Sequence, residues 1–147
     1  MTTPHGRKGT LTPAHDQAVT HHYTVHYPDH APRESDPHYV DFEAYRRRTR
    51  KTARCAFAVR VGDDSMCGGT LELHHSHVEF ALANEVDLEL LERDYPGVSD
   101  IGQVGAWIES AQNLMWLCTA HHRGHGGVHT ASAADYEAEH YIRGLIE

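Results

Sequence analysis

The sequence predicts an α+β fold: one modest domain of short strands and helices gathered around clustered histidines. Three observations predict it. The chain has 147 residues, enough for a single core. Stretches of two-residue and of helical apolar period are separated by Gly, Pro, Asn and Asp punctuation. Finally, two short apolar runs each lead into a histidine pair. Leu71-Glu72-Leu73 precedes His74-His75, and Asn113-Leu114-Met115-Trp116-Leu117-Cys118-Thr119-Ala120 precedes His121-His122.

Composition narrows the function classes. Hydrophobic residues make up 39% and charged residues 23%, which fits a soluble globular protein. No apolar run reaches the ~18 residues of a membrane-spanning helix, so no membrane partner is expected. Met1 to Thr20 is polar and lacks the apolar stretch of a secretory signal, which reads as a cytoplasmic protein. Three cysteines, an odd number, then fit metal ligation or free thiols better than disulfides. A net charge of -8 argues against nucleic acid until its distribution is read. Seven of the 13 Lys and Arg fall between Arg46 and Arg60, with no acid among them. Seven acids fall between Glu79 and Asp100, with Arg93 the one base there. A basic pole of this kind suits a polyanion.

Residues 1–36 carry six of the 15 histidines and few apolar residues, and read as a flexible arm. A short strand could form at Val19 to Tyr27. His21, His22 and His26 read as solvated, since no Cys or carboxylate cluster accompanies them. Residues 37–147 read as the folded domain. Asp36-Pro37 is a cap followed by a helix-starting proline, so a helix is expected from Pro37 to Lys51, with Phe42, Tyr45 and Thr49 on one face. Arg46, Arg47, Arg48, Arg50 and Lys51 crowd its end. Five bases in six positions exceed what the helix dipole needs, which points to phosphate contact. Ala56 to Val61 alternates and is expected to be a strand, paired through a hairpin to Met66. Thr70 to Val78 is a second strand. Residues 80–112 form an acidic helical insertion, with helices from Ala81 to Tyr95 and from Ser99 or Asp100 to Glu109. Val104, Trp107 and Ile108 are expected to be buried there. Leu114 to Leu117 is a third strand, a short helix starts at Thr119, and Ser132 caps the last helix. Ala134, Ala138, Tyr141, Ile142 and Leu145 are its expected buried face.

Cys118-x2-His121 has the spacing of a zinc half-site. A hairpin between Cys55 and Cys67 would add two thiols, giving a Cys55, Cys67, Cys118, His121 structural zinc site. The alternative is buried thiols without a metal. In a strand, His74 and His75 point to opposite faces, so one can hold a metal while the other acts on water. His122 can add a ligand, and His125 lies one turn beyond it. Such imidazole sites accept Mg, Mn, Ni or Zn to differing degrees. Arg123 beside them is a candidate phosphate contact. His77 and His129 are weaker candidates for substrate or ligand contact, and His140 reads as a surface residue.

Leu71-x-Leu73-His74-His75, followed by Asn113-Leu114-x-x-Leu117-Cys118-x-x-His121-His122, resembles the HNH endonuclease signature. Cys67-Gly68 ahead of the first half is similar to many members. The resemblance runs from about Cys55 to His129 and implies a ββα-metal (His-Me finger) core, in which two antiparallel strands and a helix enclose one divalent ion. It makes His74 and His122 metal ligands and His75 the general base. Asn113 becomes the residue that braces the loop and orients that base. His121 falls where many members carry a zinc-binding cysteine. The sequence departs from the pattern in two places. Asp64 stands where the first cysteine of a CxxC would be, with Cys55 a distant substitute. The spacing after His122 is also unusual, leaving His125 and His129 as rival ligands.

The expected function is therefore metal-dependent hydrolysis of phosphodiester bonds in nucleic acid, DNA rather than RNA. One catalytic divalent metal and one structural zinc would serve it. Two other readings compete. One is a catalytically silent, zinc-stabilised nucleic-acid-binding module. The other is a nuclease subunit active only within a larger assembly, such as a phage or defence complex; as partners, a larger assembly or a homodimer stays open.

Overall fold

The computed structural model describes residues 11–20, 22, 24–30, 32–100 and 103–147. It is a small α+β domain whose one sheet has two antiparallel strands. β1 (Leu71–His75) pairs with β2 (Leu114–Cys118) in a register that sets Leu71 against Cys118 and His75 against Leu114. A one-turn helix, here α5 (Thr119–Arg123), continues directly from β2. α1 is Tyr39–Thr49, α2 is Ala56–Val61, α3 is Leu88–Asp94, α4 is Gln103–Ile108 and α6 is Ala133–Glu139. No helix among the described residues is long and apolar enough to cross a membrane.

The segment before the domain forms no strand among its described residues. His21 and Tyr23, within the expected strand Val19 to Tyr27, lie outside them. A short 3-10 turn at Arg33–Ser35 leads into α1. Asp36 caps early: its Oδ1 accepts the His38 N–H at 2.7 Å, and the helix starts at Tyr39. Phe42 is buried, and Thr49 Oγ1 accepts the Trp116 indole N–H at 2.9 Å, which fastens α1 to β2.

The expected strand over Ala56 to Val61 is a helix. Its alternation mimics a strand, but two alanines and an arginine favour helix. Gly62 ends it at φ 69, with the Asp63 N–H bonded to Ala58 O at 3.1 Å, a Schellman close. The helical period buries Phe57 and Ala58 and leaves Val59 exposed. They pack with Cys55, Leu117 and Cys118 into the main core cluster.

The expected helix over Ala81 to Tyr95 is two pieces, a 3-10 segment and a short α-helix. A 3-10 segment (Phe80–Glu85) ends at Val86, and Asp87 caps α3 by accepting the Glu89 and Leu90 N–H groups. α4 covers Gln103–Ile108 of the described residues, and the acidic stretch builds a small second core from Val98, Trp107 and Ile108; Val104 is half-buried. Ser132 caps α6 as expected, its Oγ accepting the Asp135 N–H at 3.1 Å. The expected buried face of that helix is wrong, however. α6 ends at Glu139, so the helical period does not carry on to Tyr141, Ile142 and Leu145, which are exposed. Glu139 and His140 are buried in their place.

Candidate metal centres

Cys55, Cys67, Cys118 and His121 form the first group, their ligand atoms all within 4.8 Å of one another. His121 Nδ1 lies 3.0 Å from Cys118 Sγ, 3.6 Å from Cys55 Sγ and 3.8 Å from Cys67 Sγ. Zn–S and Zn–N bonds of about 2.3 and 2.0 Å in a tetrahedron would place N and S about 3.5 Å apart, so the group fits zinc. The local chain explains the convergence. Cys55 precedes α2, Cys118 ends β2 and caps α5, and Cys67 opens a turn that docks on α5. Gly69 in that turn has φ 79, and a Cβ there would meet Thr119 Cβ at 2.6 Å. Helix α2 and its turn, not a hairpin, bring Cys55 and Cys67 together. Burial, the neighbouring Cys118 and the charge of Cys55 push the Cys67 thiol up to about 12. Three thiolates at this spacing would repel one another unless a cation offset them, and the geometry of the group fits one. Phe57 stacks on His121 with ring centroids 3.8 Å apart, fixing the imidazole.

His74, His122 and His129 form the second group. β1 presents Glu72 and His74 on the sheet face that α5 covers. Glu72 Oε1 accepts the His122 Nδ1–H at 3.0 Å, because a carboxylate has no proton to give, and so the lone pair of His122 is on Nε2. That Nε2 faces His129 Nε2 at 3.0 Å. The Arg123 guanidinium and then His122 hold the Glu72 carboxyl below its usual range. Burial, then the nearby His129 and His122 rings, push His74 down to about 3. Burial and His122 also lower His129. Neutral imidazoles with lone pairs are the form that binds metal.

His129, not His125, completes this group. α5 stops at Arg123, so the helical turn that would have carried His125 past His122 does not exist. The loop folds back instead, with the Val128 N–H on His121 O at 2.8 Å and the His129 N–H on His122 O at 3.2 Å. His125 is exposed and outside the group.

His74 and His129 line a cleft of about 710 Å³, together with Ser76, His77, Met115 and Tyr136. His77 rests against Tyr95, ring centroids 5.3 Å apart. His75 is not in the cleft lining. It points to the other face of β1, is buried, and stacks on Phe42. Its Nε2 lies 3.0 and 3.2 Å from the Glu109 carboxylate oxygens. Asn113, fully buried, holds the loop after β1. Its Oδ1 accepts the His77 and Val78 N–H groups, and its Nδ2 donates to Val78 O and Ile108 O.

Of the basic candidates, Arg47, Arg48, Arg50 and Lys51 are exposed at the end of α1. Arg46 pairs with Glu43 at 3.0 Å, and Arg123 is bound to both oxygens of Glu72. Glu72 and Glu109 escaped sequence reasoning because their partners lie 50 and 34 residues away. Alternation along β1 does put Glu72 on the face of His74, a signal that could have found it.

The depressed His74 has a consequence for stability. The unfolded chain titrates this ring near its ordinary value of about 6.5, the folded chain near 3. Between these values the unfolded state binds the extra proton, so stability falls as pH drops. The metal-free protein is expected to lose urea resistance between pH 7.5 and 5, and His74→Asn to show a shallower dependence. A midpoint constant over that range would contradict the burial of a neutral ring.

Comparison with known protein families, with curated proteins and with solved structures finds no match to this chain.

Proposed function

We propose that the chain is a metal-dependent endonuclease of the HNH kind, hydrolysing phosphodiester bonds in DNA. One observation carries the reading. Three imidazoles, two of them buried or half-buried, converge at a cleft, one residue from a fourth whose far nitrogen is tied to a carboxylate. β1, β2 and α5 would then be its ββα-metal core. His74, His122 and His129 would hold the divalent ion, and Glu72 would orient His122. An ion held there would supply Lewis-acid chemistry, polarising the phosphoryl oxygen and offsetting charge on the leaving oxygen. Imidazole donors suit Zn or Ni better than Mg or Mn.

His75, the last residue of β1 and on the strand face away from the cleft, would act as the general base on a water that enters past the strand end. Its Nε2–H is engaged by Glu109, so the Nδ1 lone pair takes the proton of a water molecule. The water oxygen bonds to phosphorus as the P–O3′ bond breaks, and the departing oxygen takes a proton from solvent. The exposed bases of α1 hold backbone phosphates, which gives affinity without reading sequence.

The test is nicking of supercoiled plasmid by the chain after chelation and reloading with Zn, Ni, Mn or Mg. Nicking restored by at least one metal is expected. DNA binding with no nicking under any metal would leave a silent binding module or a nuclease that needs its assembly. A second reading, a nuclease active only within an assembly, is favoured by the net charge of -8 and by the exposed Tyr141, Ile142 and Leu145.

A further inference from the structure

Outside both metal groups, a buried carboxylate closes on His75. Glu109 is 4% exposed and follows α4. Both its oxygens lie within hydrogen-bond reach of His75 Nε2. Behind it, Arg33 Nη2 stands 3.7 Å from Glu109 Oε2. The Arg33 guanidinium lies 3.8 Å over the Phe42 ring, which itself stacks on His75 at 5.6 Å. Arg33 Nε and Nη2 are buried with no hydrogen-bond partner among the described residues, and charge and ring stacking hold the guanidinium. Three separate segments thus enclose one imidazole: the turn before α1, α1 itself and the residue after α4.

Stability alone is a weak reason for this arrangement. Burying a carboxylate costs several kcal/mol, and an apolar filling would often serve as well. A carboxylate on one nitrogen of a histidine does something an apolar group cannot. It accepts only, so it fixes the proton on that nitrogen and the lone pair on the other.

We propose that Glu109, backed by Arg33, is a positioning residue for His75. It holds the ring as the Nε2–H tautomer with Nδ1 free to accept a proton, and its charge steadies the imidazolium formed when water gives up that proton. The Nε2 proton stays on the ring, and Glu109 remains a carboxylate throughout. This proposal rests on the reading of His75 as general base. It also makes Arg33, in the segment before the domain, part of the reacting centre's support.

Two readouts on the full, zinc-loaded chain test it. Long-range imidazole ¹⁵N–¹H spectra report the His75 tautomer without turnover. Wild type is expected to show Nε2–H alone and Glu109→Ala a mixture, while Glu109→Gln keeps Nε2–H because its amide oxygen still accepts. In plasmid nicking, Glu109→Ala is expected to lower kcat ~100-fold with KM nearly unchanged. Glu109→Gln and Arg33→Met should fall between it and wild type. A Glu109→Ala chain with wild-type kcat, or with the Nε2–H tautomer intact, would overturn the proposal. If Glu109→Ala does not fold, Glu109→Gln decides, and an unchanged kcat overturns the proposal. If wild type itself fails to nick, the endonuclease reading falls, and the spectrum alone decides whether Glu109 sets the tautomer.

Discussion

His75→Gln is expected to lower plasmid nicking about 10²–10⁴-fold while zinc content and fold are kept. Glutamine is the instructive substitution because His75 is buried against Glu109 and Phe42. Alanine would remove the donor that Glu109 accepts and leave a buried carboxylate facing a void, at a cost of about 1–3 kcal/mol for the unmet acceptor. Lost activity in alanine would then mix chemistry with folding. The glutamine amide can still donate to Glu109 but cannot take a proton from water at neutral pH. Nicking rates measured beside zinc content and a urea midpoint separate the two effects. Wild-type nicking by His75→Gln would remove His75 from the chemistry.

The second large effect is expected from Cys118→Ser: loss of zinc and of the cooperative fold. Cys118 is 2% exposed, ends β2, and receives the His121 N–H at 3.4 Å as α5 begins. It therefore joins the sheet, the helix and the zinc group in one side chain. Structural zinc contributes about 10–16 kcal/mol of binding free energy in small domains, against a whole-domain stability of about 5–15 kcal/mol. Serine keeps the size but is a far poorer zinc ligand. Elemental analysis of the purified chain and near-ultraviolet circular dichroism are the measurements. The zinc content of wild type, undiminished, and an unchanged spectrum in Cys118→Ser would show that the four residues are a thiol cluster and no metal site.

The legible part of this molecule was local. The two apolar runs named β1 and β2, and Cys118-x2-His121 named half of the cysteine group, because residues on one tight turn leave a fixed spacing. What was missed depended on distance or on where a helix stops. Phe57, Val59 and Val61 alternate like a strand. Only the left-handed Gly62 and the core against Leu117 show that the segment is helical. His125 looked like the next ligand because α5 was assumed to continue. The helix ends one turn sooner, and His129 joins the group instead, through a loop bond that no periodicity encodes. His140 read as surface for the same kind of reason, since the end of α6 could not be placed. Glu109 was invisible because nothing near it in the chain refers to His75.

α5 has five residues, and His121 and His122 are adjacent within it. His121 belongs to the cysteine group and His122 to the imidazole group. A single turn this short has no slack to let one ligand shift without its neighbour. An ion held by either group would therefore preorganise the other, and linkage makes that help reciprocal: whatever zinc adds to the affinity of the second ion, the second ion returns to zinc. Titrating one metal while the other is present and then absent would give the same coupling constant from both directions.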